Sequence, residues 1–470
     1  VISDYDGVRR MIYRQHVCAD KPAAAKRALE AGMDFECPNS RDNYCFEYLP
    51  ELIKSGDVQE AVLDSAVARV LRTKFDLGLF EQPYVLPVDD EYRKAFKTEH
   101  DELALAVAEK GMILLKNENK TLPFEASEIK NLAVIGPTAD EVHYGTYSYE
   151  ATPGISILEG LKQFGQGRFK VHFAEGFKIY ENDDSIDAAE KTVEAEERRI
   201  QKAVDLAKRC DAVLLVMGGS ELTSREGWGE DRTGDRSTLN LLGRQDDLAR
   251  AIFAVNENTA VLLMNGRPLA INYLAENAPA IIESWYLGQQ QGTAVANVIF
   301  GEVNPGGKLT VTFPRSMGHL PVYYNHKPIV HERSFVEGSY SPLYPFGFGL
   351  SYTVFEYSNL QLGAQEIRNG ESVEVSVDVT NVGDKEGDEI VQLYIRDKVS
   401  SVTRPVKELK DFKRISLQKG ETKKVTFEIT PDKLHFYDVD MNRVVEPGEF
   451  LVMVGASSVD YQAVTFNVVE

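Results

Sequence analysis

Ala212-Val213-Leu214-Leu215-Val216-Met217-Gly218-Gly219 carries no polar side chain, and it passes directly into Ser220-Glu221-Leu222-Thr223-Ser224-Arg225-Glu226-Gly227-Trp228-Gly229-Glu230-Asp231. A strand that is apolar at every position is expected where helices cover both faces of a parallel sheet. The Gly-rich segment after it is then a loop at the carboxyl end of that strand. The same reading extends outward: apolar runs recur at 132–136, 171–174, 260–265 and 280–285, with helical stretches between them, including a long charged one over about 186–209. Upstream, a helix around 99–110 leads into Met112-Ile113-Leu114-Leu115-Lys116-Asn117 and a turn at Pro123. This alternation predicts an α/β sandwich with a mostly parallel sheet over about 100–325.

On either side the pattern changes. Residues 1–84 read as strand, helix, strand, helix: Val1-Ile2-Ser3-Asp4, a helix over 21–31 closed by Gly32, Met33-Asp34-Phe35-Glu36-Cys37, then helices over 49–53 and 61–75 split by Gly56 and ending near Gly78. Two parallel strands cannot close a sheet, so this segment is expected to be the C-terminal part of something larger. Residues 85–99 read as a polar linker and 326–354 as a Gly/aromatic linker. From 355 to 470 the period becomes two, as in Ser372-Val373-Glu374-Val375-Ser376-Val377-Asp378-Val379, and turn signals such as Asn381-Val382-Gly383-Asp384 and Pro447-Gly448 separate short strands, which predicts a β-sandwich.

Composition narrows the function classes. The chain has 470 residues, too long for one ordinary domain, and its 73 acidic against 52 basic residues give a net charge of -21. Such a surface repels phosphate backbones, so nucleic acid and anionic membranes are poor partners. No apolar run approaches the roughly 20 residues that span a bilayer as a helix. The four cysteines (Cys18, Cys37, Cys45 and Cys210) are too few for a disulfide scaffold and lack C-x-x-C spacing. The eight histidines show no i, i+4 pairing, so no metal is expected. Gly301-Glu302-Val303-Asn304-Pro305-Gly306-Gly307-Lys308-Leu309 fails as a phosphate loop because Leu309 stands where a magnesium-holding Ser or Thr is needed. The acidic run 181–187 reads as a solvated face.

Two carboxylates stand where catalytic side chains are usually placed. Asp4 ends a parallel strand, the face on which such sheets and barrels build their sites, although on its own it reads first as an N-cap or turn residue. Asp6 is closer to turn chemistry. The loop after Met217 brings Glu, Arg and Trp together; taken alone it also reads as solvated surface, with Trp228 buried under it. One ionised and one protonated carboxyl are what glycoside hydrolysis requires, and an aromatic ring suits a sugar face.

Val1-Ile2-Ser3-Asp4-Tyr5 resembles the nucleophile strand of glycoside hydrolase family 3, and the resemblance continues through Ala28-Leu29-Glu30-Ala31-Gly32-Met33-Asp34. Arg69-Val70-Leu71 with Lys74-Phe75-Asp76-Leu77-Gly78-Leu79-Phe80 looks like that family's exit from its barrel, and Ile113-Leu114-Leu115-Lys116-Asn117-Glu118 with Val134-Ile135-Gly136-Pro137 its entry to the α/β sandwich. Gly234-Asp235-Arg236 with Gly243-Arg244-Gln245, Asn304-Pro305-Gly306-Gly307-Lys308-Leu309 and Tyr344-Pro345-Phe346-Gly347-Phe348-Gly349 match in the same order. The resemblance implies a C-terminal remnant of a TIM-like (β/α) barrel at 1–84, the α/β sandwich, and a fibronectin type III-like domain at 355–470.

By the same resemblance the activity is a retaining exo-acting β-glucosidase, with Asp4 as nucleophile, Glu226 as acid/base ahead of Glu221 and Glu230, and Tyr5 and Trp228 bordering the leaving-group subsite. Burial against Trp228 is expected to raise Glu226, and the site is expected in the cleft between the domains that carry Asp4 and Glu226. β-Xylosidase and exo-β-glucanase activities are the near alternatives, and an inactive fragment with a carbohydrate-binding or scaffold role is the alternative of another class. About six barrel strands that precede the nucleophile in that family are absent, so the chain is expected to be part of an enzyme whose missing barrel strands come from the same or another chain. The expected partner is a β-linked oligosaccharide or glucoside, with a homodimer allowed for, and no cofactor is implied. The compartment is open, with a periplasmic or secreted setting preferred.

Overall fold

The computed structural model describes residues 1–85, 89–148, 153–179, 192–227, 234–328, 335–336 and 338–470, without the side chain of Arg93. They divide into two compact units, Val1–Ala95 and Phe96–Glu470.

In the first unit, α1 (Gly7–Tyr13), α2 (Lys21–Glu30), α3 (Leu49–Lys54) and α4 (Glu60–Asp76) surround a small core. The Asp20 carboxylate starts α2 by accepting the Ala23 N–H at 2.9 Å, with Pro22 in the first turn, and Gly32 ends it in the left-handed region at φ 91°. Ala24, Ala25, Ala28 and Leu29 form one buried face of α2 against Val8, Phe46 and Leu49. The two strands read from the sequence reduce to a single parallel bridge between Ile2 and Phe35. Ile2 and Phe35 are exposed, so neither has the neighbours that would extend the pairing into a ladder. Helix α1 has no counterpart in the sequence reading; it follows Asp6, whose φ of 54° turns the chain sharply and whose carboxylate accepts the Asn39 N–H.

Helix α5 (Asp90–Gly111) begins inside the stretch read as a linker, at the end of the first unit, and most of its length belongs to the second. It is followed by β1 (Ile113–Asn117), β2 (Asn131–Ile135), β3 (Lys170–Ala174), β4 (Ala212–Gly218), β5 (Thr259–Met264) and β6 (Ala280–Glu283). The six-stranded sheet runs β1-β6-β5-β4-β2-β3, parallel except for the antiparallel β1–β6 edge. Alternate side chains of each strand enter opposite cores. Val213, Leu215 and Met217 of β4 pack with α7 (Val193–Ala207), α8 (Gln245–Phe253) and α9 (Asn272–Asn277), whereas Leu214 and Val216 pack with α6 (Ile157–Gly165) and α10 (Gln291–Ile299). This two-sided cover explains why β4, β5 and β6 are buried along their whole length and apolar apart from Thr259 and Glu283 at two strand ends. Helices α6 and α10 approach so closely that a Cβ on Gly292 would lie 2.1 Å from the Ser156 carbonyl oxygen.

The chain then forms β7 (Phe355–Leu362), β8 (Glu366–Arg368), β9 (Val373–Asn381), β10 (Gly387–Asp397), β11 (Glu408–Leu417), β12 (Thr422–Ile429), β13 (Phe436–Tyr437), β14 (Arg443–Val444), β15 (Gly448–Gly455) and β16 (Tyr461–Val469). A five-stranded sheet β11-β10-β15-β16-β8 faces a three-stranded sheet β12-β9-β7 across one core, in which Val375, Val377 and Val379 of β9 meet Leu393, Val452 and Phe466. Lys308 is held by the Gly349 carbonyl at 2.8 Å and by Glu389 of β10 at 3.1 Å, so it serves packing between the α/β layers and the β-sandwich. Among the described residues, no helix is long and apolar enough to cross a membrane.

Candidate functional site

The loops that leave the carboxyl ends of β4, β5 and β6 converge with residues 143–147, the place where open α/β sheets bind ligands. Strand β4 ends at Gly218, whose φ of 122° and whose approach to the Met264 carbonyl, 2.1 Å from where a Cβ would lie, admit glycine alone. Gln245, fully buried at the start of α8, supplies the partners that the sheet no longer gives. Its Oε1 accepts the Gly218 N–H at 2.8 Å and its Nε2 donates to the Gly218 carbonyl at 2.9 Å. The loop beyond is a tight turn in which the Thr223 hydroxyl is shared by the N–H and carbonyl of Ser220.

Glu221 does not face open solvent. Its Oε2 lies 2.7 Å from Nδ1 of the buried His143, and its Oε1 accepts the Gly145 N–H at 3.2 Å. Burial alone would raise this carboxyl, but the hydrogen bond and charge of His143, with the backbone N–H groups, outweigh it and hold it at about 2. Gln291, also fully buried, fixes the other side of the contact by accepting the His143 N–H and donating to the Glu141 carbonyl. Two glutamines therefore anchor the two loops, and the Glu221–His143 pair ties them together.

Between these loops lies a cavity of ≈ 730 Å³ lined by Gly145, Thr146, Tyr147, Ser224, Arg225, Glu226, Gly266 and Tyr286. The Tyr286 hydroxyl meets Ser224 Oγ at 2.9 Å, and Ser224 Oγ accepts the Gly266 N–H at 3.2 Å. Burial pushes the Tyr286 phenol up to about 12, so it stays protonated. Glu226 lines this cavity and is exposed, which departs from the burial expected of it. The backbone of 225–226 lies against Gly234, which leaves the Glu226 side chain to the open space. Trp228 and Glu230 lie outside the described residues.

In the first unit, Asp4 is exposed, its carboxylate accepts the Tyr5 N–H at 2.7 Å, and Arg10 Nη1 stands 3.9 Å away. The Asp4 carbonyl accepts the Gly7 N–H, which makes a tight turn that leaves Asp4 and Tyr5 both projecting into solvent. Asp6 is buried in that turn. Behind it, the buried Glu36 carboxylate accepts the N–H groups of Cys45 and Phe46, and burial raises it above the ordinary carboxylate range.

Among the described residues, no group of three or more His, Cys, Asp or Glu side chains is placed to hold a metal ion. The sequence reading missed His143, Gln245, Gln291, Ser224 and Tyr286, which act through contacts with residues distant in the chain.

Residues 112–352 match the model of the glycosyl hydrolase family 3 C-terminal domain, and residues 389–458 that of the fibronectin type III-like domain. The chain is similar to a β-xylosidase of Formosa agariphila, 41% identical over 97% of this chain and 63% of that protein. It is also similar to a periplasmic β-glucosidase of Salmonella typhimurium, 36% identical over 97% of this chain and 61% of that protein. Among solved structures, a β-glucosidase from Erythrobacter marinus superposes with a TM-score of 0.92 at 39% identity, covering 100% of this chain and 63% of that one. The chain thus spans about three-fifths of the length of these relatives.

Proposed function

Because the chain belongs to glycoside hydrolase family 3, we propose that the protein is a retaining, exo-acting glycosidase that releases terminal non-reducing β-D-glucosyl residues from β-glucosides or oligosaccharides. In this mechanism the Asp4 carboxylate attacks the anomeric carbon while Glu226 gives its proton to the departing glycosidic oxygen. Glu226, now a carboxylate, takes a proton from water, and that water releases the sugar from Asp4. Two inversions give net retention. Tyr5 and Trp228 would border the leaving group.

The observation that carries the assignment is the unequal fate of two loop carboxyls. An acid catalyst must carry a proton near neutral pH. Glu221, held at about 2 beside His143, carries none, whereas Glu226 lines the cavity, alone of the carboxyls among the described residues there. The exposed Ile2 and Phe35 suit further barrel strands, supplied by the same or another chain.

The test compares Glu226→Gln, Glu221→Gln and Asp4→Asn in the complete protein. Glu226→Gln should lose on the order of 10²- to 10⁴-fold in turnover of a natural disaccharide and much less on an aryl glucoside with a good leaving group. Asp4→Asn should lose both. Unchanged disaccharide turnover in Glu226→Gln overturns the assignment. A liganded structure should place the two carboxyls roughly 5–5.5 Å apart, and a separation of roughly 8 Å would argue for inversion.

A pentose glycone is the second reading, supported by the relative named β-xylosidase at 41% identity. The ratio of kcat/KM for aryl β-glucoside and aryl β-xyloside decides between them; exo-β-glucanase activity would register as turnover of longer β-glucans.

A further inference from the structure

Glu283 ends β6 with none of its surface exposed, and it is not among the described residues that line the cavity beside Glu226. Its Oε1 accepts the Trp285 N–H at 2.9 Å, and its Oε2 accepts Asn265 Nδ2 at 3.2 Å. Trp285 has φ 55°, a left-handed conformation that a bulky side chain adopts only when its surroundings impose it. Asn265 is itself buried at the end of β5. The residue after each of these, Tyr286 and Gly266, reaches the cavity wall, and the two together grip Ser224 Oγ, two residues before Glu226.

We propose that Glu283 is a positioning residue for Glu226: by holding Trp285 in its left-handed turn and Asn265 at the end of β5, it sets Tyr286 and Gly266, and through Ser224 the loop that presents the acid. The catalytic part rests on the function proposed above; the positioning of the loop does not.

The chemistry around Glu283 suits a neutral carboxyl. Asn265 Oδ1 is buried without a partner among the described residues, so this pair already holds one acceptor too many. The register partners of Glu283, Ile113 on β1 and Leu263 on β5, are apolar, and the groups that bear on its ionisation are the Trp285 N–H and the Asn265 amide. Burial, which outweighs both donors, pushes it up to about 8. Below that pH the protonated group keeps its contacts. Above it a carboxylate with two neutral donors and no cation among the groups that bear on it sits inside the sheet, and it is relieved only if water enters and the turn loosens.

Two variants of the full chain test this. Glu283→Gln keeps an acceptor for the Trp285 N–H and is neutral at every pH; Glu283→Ala keeps neither contact. The readouts are hydrogen exchange of the amides of 220–227 and tryptophan fluorescence between pH 6 and 10. At pH 7, Glu283→Ala should exchange this loop at least about tenfold faster, with Glu283→Gln within about threefold of the parent. At pH 9 the parent should exchange faster than Glu283→Gln, and its fluorescence should titrate near pH 8 where that of Glu283→Gln does not. In the complete enzyme, Glu283→Gln should move the alkaline limb of kcat upward with KM unchanged. If Glu283→Ala does not fold, the comparison of parent and Glu283→Gln across pH decides alone. Equal exchange and equal titration in those two proteins overturn the proposal. Absence of glycosidase turnover in the complete enzyme would refute the proposed function and leave the exchange comparison decisive for Glu283.

Discussion

Replacing Glu221 by Gln removes the charge that ties residues 143–147 to the loop after β4 while leaving an acceptor of the same shape. The parent carboxyl, ordinarily at 4.5, is held at about 2. At about 1.4 kcal/mol per pH unit this corresponds to roughly 3 kcal/mol, and roughly 2–3 after allowance for the 21% of the side chain that water reaches. The sign follows from linkage. A carboxyl lowered by the fold stabilises fully above pH 4.5 and loses that contribution as pH falls through 2. Hydrogen exchange at the amides of 143–147 and 220–226 measures the local opening. Glu221→Gln should open about 30- to 100-fold more readily than the parent at pH 6.5, and the gap should shrink toward pH 3. His143→Gln should do the same, and the double variant no more, since one contact is lost in each. A gap below about threefold at pH 6.5, or one that widens on acidification, would refute the idea that this pair joins the two loops.

Gln245→Leu should leave the buried N–H and carbonyl of Gly218 without partners and cost about 2–4 kcal/mol in chemical denaturation, with shape nearly conserved; an unchanged midpoint would mean that the strand end finds other partners. Gly292→Ala should drive a methyl group into the Ser156 carbonyl and lower stability by about 1–3 kcal/mol, read as an earlier thermal transition. A transition at the parent temperature would mean that α6 and α10 can separate without loss.

Much of the architecture is legible in the chain because burial on both faces leaves a simple mark. Strand β4 is apolar from Ala212 to Gly218, and β9 alternates Val with polar residues because only one of its faces meets the core. Strand β11 left no such mark: Glu408-Leu409-Lys410-Asp411-Phe412-Lys413 lies at a sheet edge, where charged side chains discourage pairing with other chains, and charge hides the period. Helix α1 was hidden for another reason, since it depends on the left-handed turn at Asp6 more than on its own residues. At the site, Glu226 stands out as a carboxylate in a Gly-rich loop. Its neighbours do not, because His143 and Glu221 are joined across 78 positions, and Glu283 reads simply as the end of an apolar strand. Side chains that work by gripping backbone from afar carry no local signature.

The antiparallel edge of the central sheet bears on how the molecule is made. Strand β1 is synthesised first among the six, yet its partner is β6, the last, with Ile113 opposite Glu283. At roughly 5–20 residues per second, a ribosome would deliver that partner on the order of ten to thirty seconds later. Through that interval Met112, Ile113, Leu114 and Leu115, all buried in the finished fold, lack the strand that β1 pairs with. The nascent chain would thus carry this apolar segment without its strand partner until the sheet is almost complete, which makes 112–115 a natural point for a chaperone to hold.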